Sequence, residues 1–319
     1  MSFVCLGFIW NLSFEIWFIM SRKIILSHLA VIGANVIYGL NYVIAKGIMP
    51  DYMQPRVIIM FRVLGAMLIF NLVSLFFPKE KVSRKDMWRL ALCAVFGIAI
   101  NQTMFFEGLN LTTPINASII LVSIPILVLV FSHFMIKDHL STNKVIGVLL
   151  GAFGAGWLIL RGGSFSFTSD TFVGNLFIVI NASSYALFLV LVKPLMAKYS
   201  PLTIMKWLFS FGFVFIFPFS IQLTLEADFA QIPFKIWMSV GYVILFTTVL
   251  AYFLNNFSLK KISPTMNSSY AYLQPFLATL VALALGKDNL TWTEIIAALF
   301  IFTGVYFVSR KTVLRSSDS

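Results

Sequence analysis

Long apolar runs with almost no charge limit this chain more than any motif does. "KIILSHLAVIGANVIYGLNYVIAK" from Lys23 and "KVIGVLLGAFGAGWLILR" from Lys144 are two of them. A helix that crosses the hydrocarbon of a bilayer needs about 20 predominantly apolar residues, and runs of this length recur along all 319 residues. Hydrophobic residues make up 60% of the chain and charged ones 11%, whereas an ordinary soluble domain is about 45–50% apolar. Such a chain has too little polar surface to cover itself in water. It reads as an all-α polytopic membrane protein with the lipid bilayer as its solvent.

The net charge of +11 does not point to nucleic acid. Basic residues of membrane proteins collect in cytoplasmic loops, where they set orientation. Cys5 and Cys93 lie in apolar surroundings with no disulfide or metal-ligand spacing. His28, His133 and His139 form no HExxH-like array. No paired in-membrane aspartates and no Walker-type glycine loop appear, so an intramembrane enzyme is disfavoured, and no metal or cofactor is implied. A channel is disfavoured too, because no charged ring or repeated filter segment is present.

Residues 1–21 are set apart as a leader. "MSFVCLGFIWNLSFEIWFI" lacks the basic n-region and small-residue cleavage site of a secretory signal. Met20 opens a more ordinary start, "MSRKIILSHLAV", so either Met20 initiates the chain or the leader lies at the interface. Beyond it, charge, Pro and Gly punctuation divides the chain into ten apolar spans. They begin near Lys23, Gln54, Asp86, Pro114, Asn143, Thr171, Pro201, Pro233, Pro264 and Thr291. With alternate loops assigned to alternate sides, 17 of the 23 Lys and Arg residues fall on one side and five on the other, with Arg62 inside span two. By the positive-inside rule both termini are cytoplasmic. No organelle-targeting pattern is evident, which makes a bacterial cytoplasmic membrane the default location.

The chain also repeats itself. "TPINASIILVSIP" ends at Pro125 and "SPTMNSSYAYLQP" at Pro275, each with two prolines at the same separation. One constant displacement lays Pro264 on Pro114, Ser268 on Ser118, Pro275 on Pro125, Lys287–Asp288 on Lys137–Asp138, and Gly304 on Gly154. A slightly shorter one lays "SYALFLVLVK", ending at Lys193, on "IYGLNYVIAK", ending at Lys46. Spans one to five (residues 22–162) are thus echoed by spans six to ten (residues 163–311), followed by a tail at 312–319. Five is odd, so the second copy enters the bilayer from the opposite face. Two inverted five-helix repeats can exchange conformations and move access from one side to the other, with a site near the midplane. Duplication without transport, as a scaffold, is the duller alternative.

The motif order resembles the drug/metabolite transporter superfamily, specifically its ten-helix EamA-type members. The carrying features are "YGLNYVIAK", "SYALFLVLVK", "INASIILVSIPILVLVFSHFMIKDHLS", "NSSYAYLQPFLATLVALALGKDNLT" and the glycine-rich "GVLLGAFGAGWLIL". The family's usual acidic residue after spans four and nine stands here as Asp138 and Asp288. Tyr38–Gly39 replaces the Trp-Gly common in span one. The resemblance implies a carrier of small organic metabolites such as amino acids, often outward. It leaves the cargo open. Nucleotide sugars and lipophilic cations are alternatives within the superfamily, but a diphosphate would call for more cavity-facing bases than Arg62 alone.

Polar side chains inside a membrane usually face the protein interior or a wet cavity. Asn267, Tyr270 and Gln274 make one helical stripe in span nine. Tyr252 and Asn256 (with Thr248 and Asn255) mark span eight, Asn181 and Tyr185 span six, Asn35, Tyr38 and Asn41 span one, and Asn101 and Gln102 span three. These are candidate substrate contacts for a polar, zwitterionic solute. The competing reading is interhelical glue, worth about 1 kcal/mol or less per residue. Pro125 and Pro275 are expected within their helices, freeing the carbonyls of Leu121 and Ala271, as kink points for gating. Glu107 is the acid best placed for proton coupling, with an interfacial ion pair as the alternative. Lys46 and Lys193 are expected to snorkel at matched helix ends. Gly147, Gly151 and Gly154 line one face of span five for close packing, within the bundle or at a homodimer contact.

Overall fold

The computed structural model describes residues 3–112, 117, 120–161, 169–274 and 292–309; every structural statement below concerns these residues. They form helices and connecting turns. Helix α1 spans Phe3–Lys46, α2 Pro55–Ser74, α3 Arg84–Leu111, α4 Ile124–Ile136 and α5 Thr142–Arg161. Helix α6 spans Ser169–Met196, α7 Pro201–Glu226, α8 Phe234–Leu259, α9 Pro264–Ser269 and α10 Trp292–Ser309. Six segments are long and apolar enough to cross a membrane: Lys23–Lys46 of α1, α2, α3, Phe172–Met196 of α6, α7 and α8. Ile124–Ile136, Thr142–Gly154 and Leu299–Val308 are shorter apolar helices. Parts of the fourth, fifth, ninth and tenth expected spans lie outside the described residues, as do Pro275, Asp288 and the 312–319 tail.

Helix α1 runs unbroken from Phe3 to Lys46. One expectation needs correction. Pro125 is not inside a helix. It sits in the first turn of α4, after a turn at Val122–Ser123. The pyrrolidine ring cannot continue a helix without losing an N–H and clashing with the preceding turn, but the first turn tolerates it. Ser123 closes the break by donating from both its amide and its hydroxyl to Ile120 O, at 3.0 and 2.6 Å. A short 3-10 turn, Tyr270–Tyr272, stands just before Pro275 in the corresponding stretch.

Local signals fix several starts. Ser200 caps α7 ahead of Pro201, Ser263 caps α9 ahead of Pro264, and Ser83 caps α3 by accepting from the amide of Asp86 at 3.2 Å. Pro233 occupies the cap position of α8 rather than its first turn.

The burial pattern is that of a protein solvated by hydrocarbon. Asn35, Asn41, Arg62, Asn101, Gln102, Asn181, Thr248, Asn255, Asn256 and Asn267 are buried, while Leu29, Phe76, Trp88, Phe134, Phe219 and Phe234 are exposed. The tightest helix pairings join distant parts of the chain: α5 with α10, α2 with α7, α3 with α6, and α1 with α8. Glycines allow the first of these. A Cβ on Gly304 would lie 2.6 Å from Gly147 O and from Gly151 N, so the α5 and α10 backbones touch. The glycine face of span five is therefore used within the chain.

Two lysines fasten helix ends. Lys46, at the end of α1, donates to Leu109 O at 2.9 Å and Asn110 O at 3.3 Å, the last carbonyls of α3. Lys193, near the end of α6, donates to Leu259 O and, at 2.6 Å, to Ile262 O, at the end of α8. Both take up carbonyls that a helix terminus leaves without partners, and a cation there also meets the negative end of the helix dipole.

At the other end of α3 the connection is held by acids. Asp86 accepts from Lys198 at 3.0 Å and Tyr199 at 2.9 Å, and Glu80 accepts from Ser200 N at 2.9 Å and Ser200 Oγ at 3.0 Å. Desolvation opposes ionisation of Glu80, but hydrogen bonds from Thr203 and Ser200 and the field of Lys260 outweigh it, so its pKa is lowered. A carboxylate with a lowered folded-state pKa stabilises the fold above its unfolded value, and that contribution fades as pH falls through the folded one.

Two measurements follow from these contacts. Gly304→Leu should force α5 and α10 apart and lower stability by about 1–3 kcal/mol, read as loss of the detergent-solubilised monodisperse protein on heating. Glu80→Gln should melt below the wild type at neutral pH, with the gap closing as pH falls through the carboxylate range.

Candidate functional site

The buried polar residues gather where α1, α2, α3, α6 and α8 meet. Helices α3 and α8 both lose regular geometry there, with π-helical segments at Val95–Ile100 and Val243–Leu250. A π segment shifts the backbone ladder and leaves carbonyls for side chains to meet, and such segments concentrate at functional sites. Tyr252 donates to Gly97 O and Asn101 Oδ1, each at 3.2 Å. Ser184 of α6 donates to Phe96 O at 2.7 Å, and Asn181 donates to Asn101 O at 2.7 Å. Thr248 donates to Val243 O at 2.7 Å, five residues earlier in its own helix.

Aromatic residues close the cluster. Tyr38 of α1 packs edge-on to Tyr252, with ring centroids 6.3 Å apart, and Tyr252 packs on Phe209 of α7 at 5.5 Å. Asn255 donates to Tyr185 Oη at 2.9 Å. Arg62 of α2 is 4% exposed, stacks on the Phe106 ring at 4.6 Å, and donates from Nε to Thr248 Oγ1 at 2.8 Å.

The structure divides the sequence-predicted residues into three groups. Tyr38, Asn101, Gln102, Asn181, Tyr185 and Tyr252 belong to the central cluster, and Asn41 is buried about one turn after Tyr38 on α1. Asn35, Tyr270 and Gln274 form a second set between α1 and the segment after α9, where Gln274 donates to Asn35 Oδ1 at 2.7 Å and Tyr270 Oη meets His28 Nδ1 at 2.6 Å. Asn256 and Asn267 serve mainly as ties. Asn256 donates to Tyr252 O at 2.8 Å within its own helix, and Asn267 donates to Ser258 Oγ at 3.0 Å. Glu107 is set apart from all of these by an ion pair with Arg56 at 2.8 Å, the interfacial alternative weighed above.

Hydrogen-bond accounting separates glue from free groups. Both amide atoms of Gln102, the hydroxyls of Tyr38 and Thr247, and the Oδ1 atoms of Asn41 and Asn256 are buried without a partner of good geometry among the described residues. Nearly all buried polar atoms in proteins are paired, and an unpaired one costs about 1–3 kcal/mol. Tyr38 and Gln102 are the two of these in the central cluster, and Asn110, Ser132 and Thr265 elsewhere also carry such an atom. Among the described residues no group of His, Cys, Asp and Glu could hold a metal.

The sequence reading passed over Phe106, Thr247 and the π segments. Phe106 precedes Glu107 among apolar neighbours, and nothing in its context distinguishes it from lipid-facing aromatics. The π segments have no composition of their own.

The chain matches the EamA-like transporter family twice, over residues 25–160 and 172–310. It belongs to that family. It is 23% identical to the uncharacterized transporter YyaM of Bacillus subtilis, across 88% of this chain and 93% of that protein. A WAT1-related protein of Arabidopsis thaliana is 24% identical across 88% of this chain and 79% of its own length. A probable terminal-alkyne amino-acid exporter of Streptantibioticus cattleyicolor is 22% identical across 74% and 77%. A solved crystal structure superposes with a TM-score of 0.71 at 17% identity, over 91% of this chain and 96% of its own. This EamA-type chain is a multi-pass membrane transporter and not an enzyme.

Tyr252→Phe removes the hydroxyl that binds the π segment of α3 while keeping the ring contacts. It should lower thermal stability by about 1 kcal/mol, read as a lower melting temperature in detergent, while Tyr38→Phe, whose hydroxyl makes no hydrogen bond of good geometry among the described residues, should cost less.

Proposed function

We propose that this EamA-type transporter is a secondary carrier that moves a small polar organic solute, an amino acid or related metabolite, outward across a bacterial cytoplasmic membrane. The observation that carries the reading is the group of buried polar atoms on Gln102, Tyr38 and Asn41 that lack a hydrogen bond of good geometry among the described residues, near where α1, α2 and α3 meet α6 and α8. Uncharged donors and acceptors between aromatic rings suit a small zwitterion held by several hydrogen bonds. The name of the Streptantibioticus relative, an amino-acid exporter, supports the same class.

Alternating access between two inverted five-helix repeats, 22–162 and 163–311, is the proposed mechanism. The two family matches support the duplication. The helix pairings support the inversion. Renumbering each helix of one half as its counterpart in the other turns α2–α7 and α5–α10 into themselves and turns α3–α6 into α8–α1. The matched roles of Lys46 and Lys193 support it as well. On this reading ten helices cross the bilayer with both termini cytoplasmic, an orientation that the distribution of basic residues supports. The breaks at Pro125 and before Pro275 would serve as hinges between helical pieces.

The test separates a substrate contact from glue. Gln102→Leu keeps the side chain's size and removes two unpaired polar atoms, so the melting temperature should hold or rise. Counterflow of labelled amino acids in proteoliposomes should fall at least about tenfold. Wild-type exchange in that variant would remove Gln102 from the site. Asn267→Ala should do the reverse, costing stability first.

A further inference from the structure

The central cluster holds one full charge that the hydrogen-bond cage does not explain. Arg62 is buried on α2, its guanidinium lies against Phe106, and Thr248 accepts from Nε. Among the described residues no carboxylate pairs with it. The acid nearest along the chain to its stacking partner is Glu107, and Arg56 holds that one at 2.8 Å. The ionisable groups in electrostatic range of Arg62 are the phenols of Tyr38 and Tyr252, which are neutral acids at physiological pH.

A guanidinium keeps its charge at any pH a cell experiences. Removing it from water without a counter-ion is costly, and charged residues buried in membrane proteins are typically paired or line a solute pathway. With Nε engaged by Thr248, the edge formed by the two Nη groups is the remaining donor face. Its two parallel N–H directions fit the two oxygens of one carboxylate.

We propose that Arg62 is the receptor for a carboxylate on the transported solute, which makes the cargo a carboxylic acid rather than an amine, a sugar or a lipophilic cation. The proposal rests on the carrier reading above. The guanidinium is held against the Phe106 ring, 4.6 Å from its centroid, and by Thr248 in the π segment of α8. Arg62 and Thr248 belong to opposite halves of the chain. A carboxylate bound to Arg62 therefore neutralises a charge at the junction where the two halves would move. The amide of Gln102 and the hydroxyl of Tyr38, which make no hydrogen bond of good geometry among the described residues, are available to the rest of the solute.

The test uses the purified full chain in proteoliposomes. Labelled phenylalanine, leucine and alanine are each compared in counterflow with their carboxamides and with the amines lacking the carboxyl group. Uncharged sugars and a lipophilic cation are run alongside. The acids should exchange roughly ten- to a hundredfold faster than their amides. Arg62→Lys should keep a reduced preference for the acid, and Arg62→Gln should erase it. Wild-type protein that carries amides or amines as well as acids overturns the proposal without any variant, so a misfolded Arg62→Gln would not obscure the result. Exchange of sugars or the cation alone overturns it and leaves the carrier reading standing. Exchange of nothing, by protein shown to be folded, overturns both.

Discussion

Hydrocarbon offers no hydrogen-bond partner, and nearly every feature of this molecule follows from that. A polar group that enters the bilayer must find its partner within the protein or within a cavity the protein encloses. The chain therefore turns inside out relative to a soluble domain, with asparagines and an arginine buried and phenylalanines and leucines exposed. The hydrophobic effect, which assembles soluble cores, contributes little between helices already in lipid. Close backbone contact and polar ties have to hold them instead. Both devices are present here, in the Gly147–Gly304 approach of α5 to α10 and in the asparagine and tyrosine bonds that join α3, α6 and α8.

The same constraint makes departures from regular helix informative. Each π segment or proline break exposes carbonyls that need partners, so each must be tied off by something nearby. Phe96 O and Gly97 O of α3 are taken by Ser184 and Tyr252, and Val243 O of α8 by Thr248. The irregular stretches therefore recruit polar side chains from neighbouring helices into one place, and that place is the candidate site. Stability and function compete for the same hydroxyls there. Thr248 shows it most plainly, since its hydroxyl donates to a freed carbonyl and accepts from Arg62.

Much of the architecture was legible because hydropathy is an average over a whole span and tolerates error at single positions. The starts at Pro201 and Pro264 could be read for a local reason, a serine cap followed by proline. Pro125 was misjudged because a proline in an apolar run is compatible with a kink or with a fresh start. Choosing between them depends on whether the preceding residues can close a turn, as Ser123 does. The polar candidates were found as a set because any polar residue in a span is conspicuous. Their division into ties and free groups was not legible. Gln102 and Asn101 are neighbours of similar chemistry, yet Asn101 is bonded from two other helices and Gln102 makes no hydrogen bond of good geometry among the described residues. That difference arises from packing angle, which no pattern in the chain encodes.

Arg62 shows how far burial can carry a functional argument. A tie can be neutral, and membrane proteins have serine, threonine and asparagine for that purpose at little desolvation cost. A guanidinium stacked on a ring and bonded through one nitrogen is an expensive way to join α2 to α8 if joining them is all it does. A lysine in its place would bury a more strongly hydrated charge, and a glutamine would carry no charge. What neither could supply is a planar fork of fixed orientation with permanent charge. The side chain present is the one suited to a carboxylate, and the nearest acid along α3 is turned to Arg56 instead. On the proposal above, the counter-ion of Arg62 arrives with the solute.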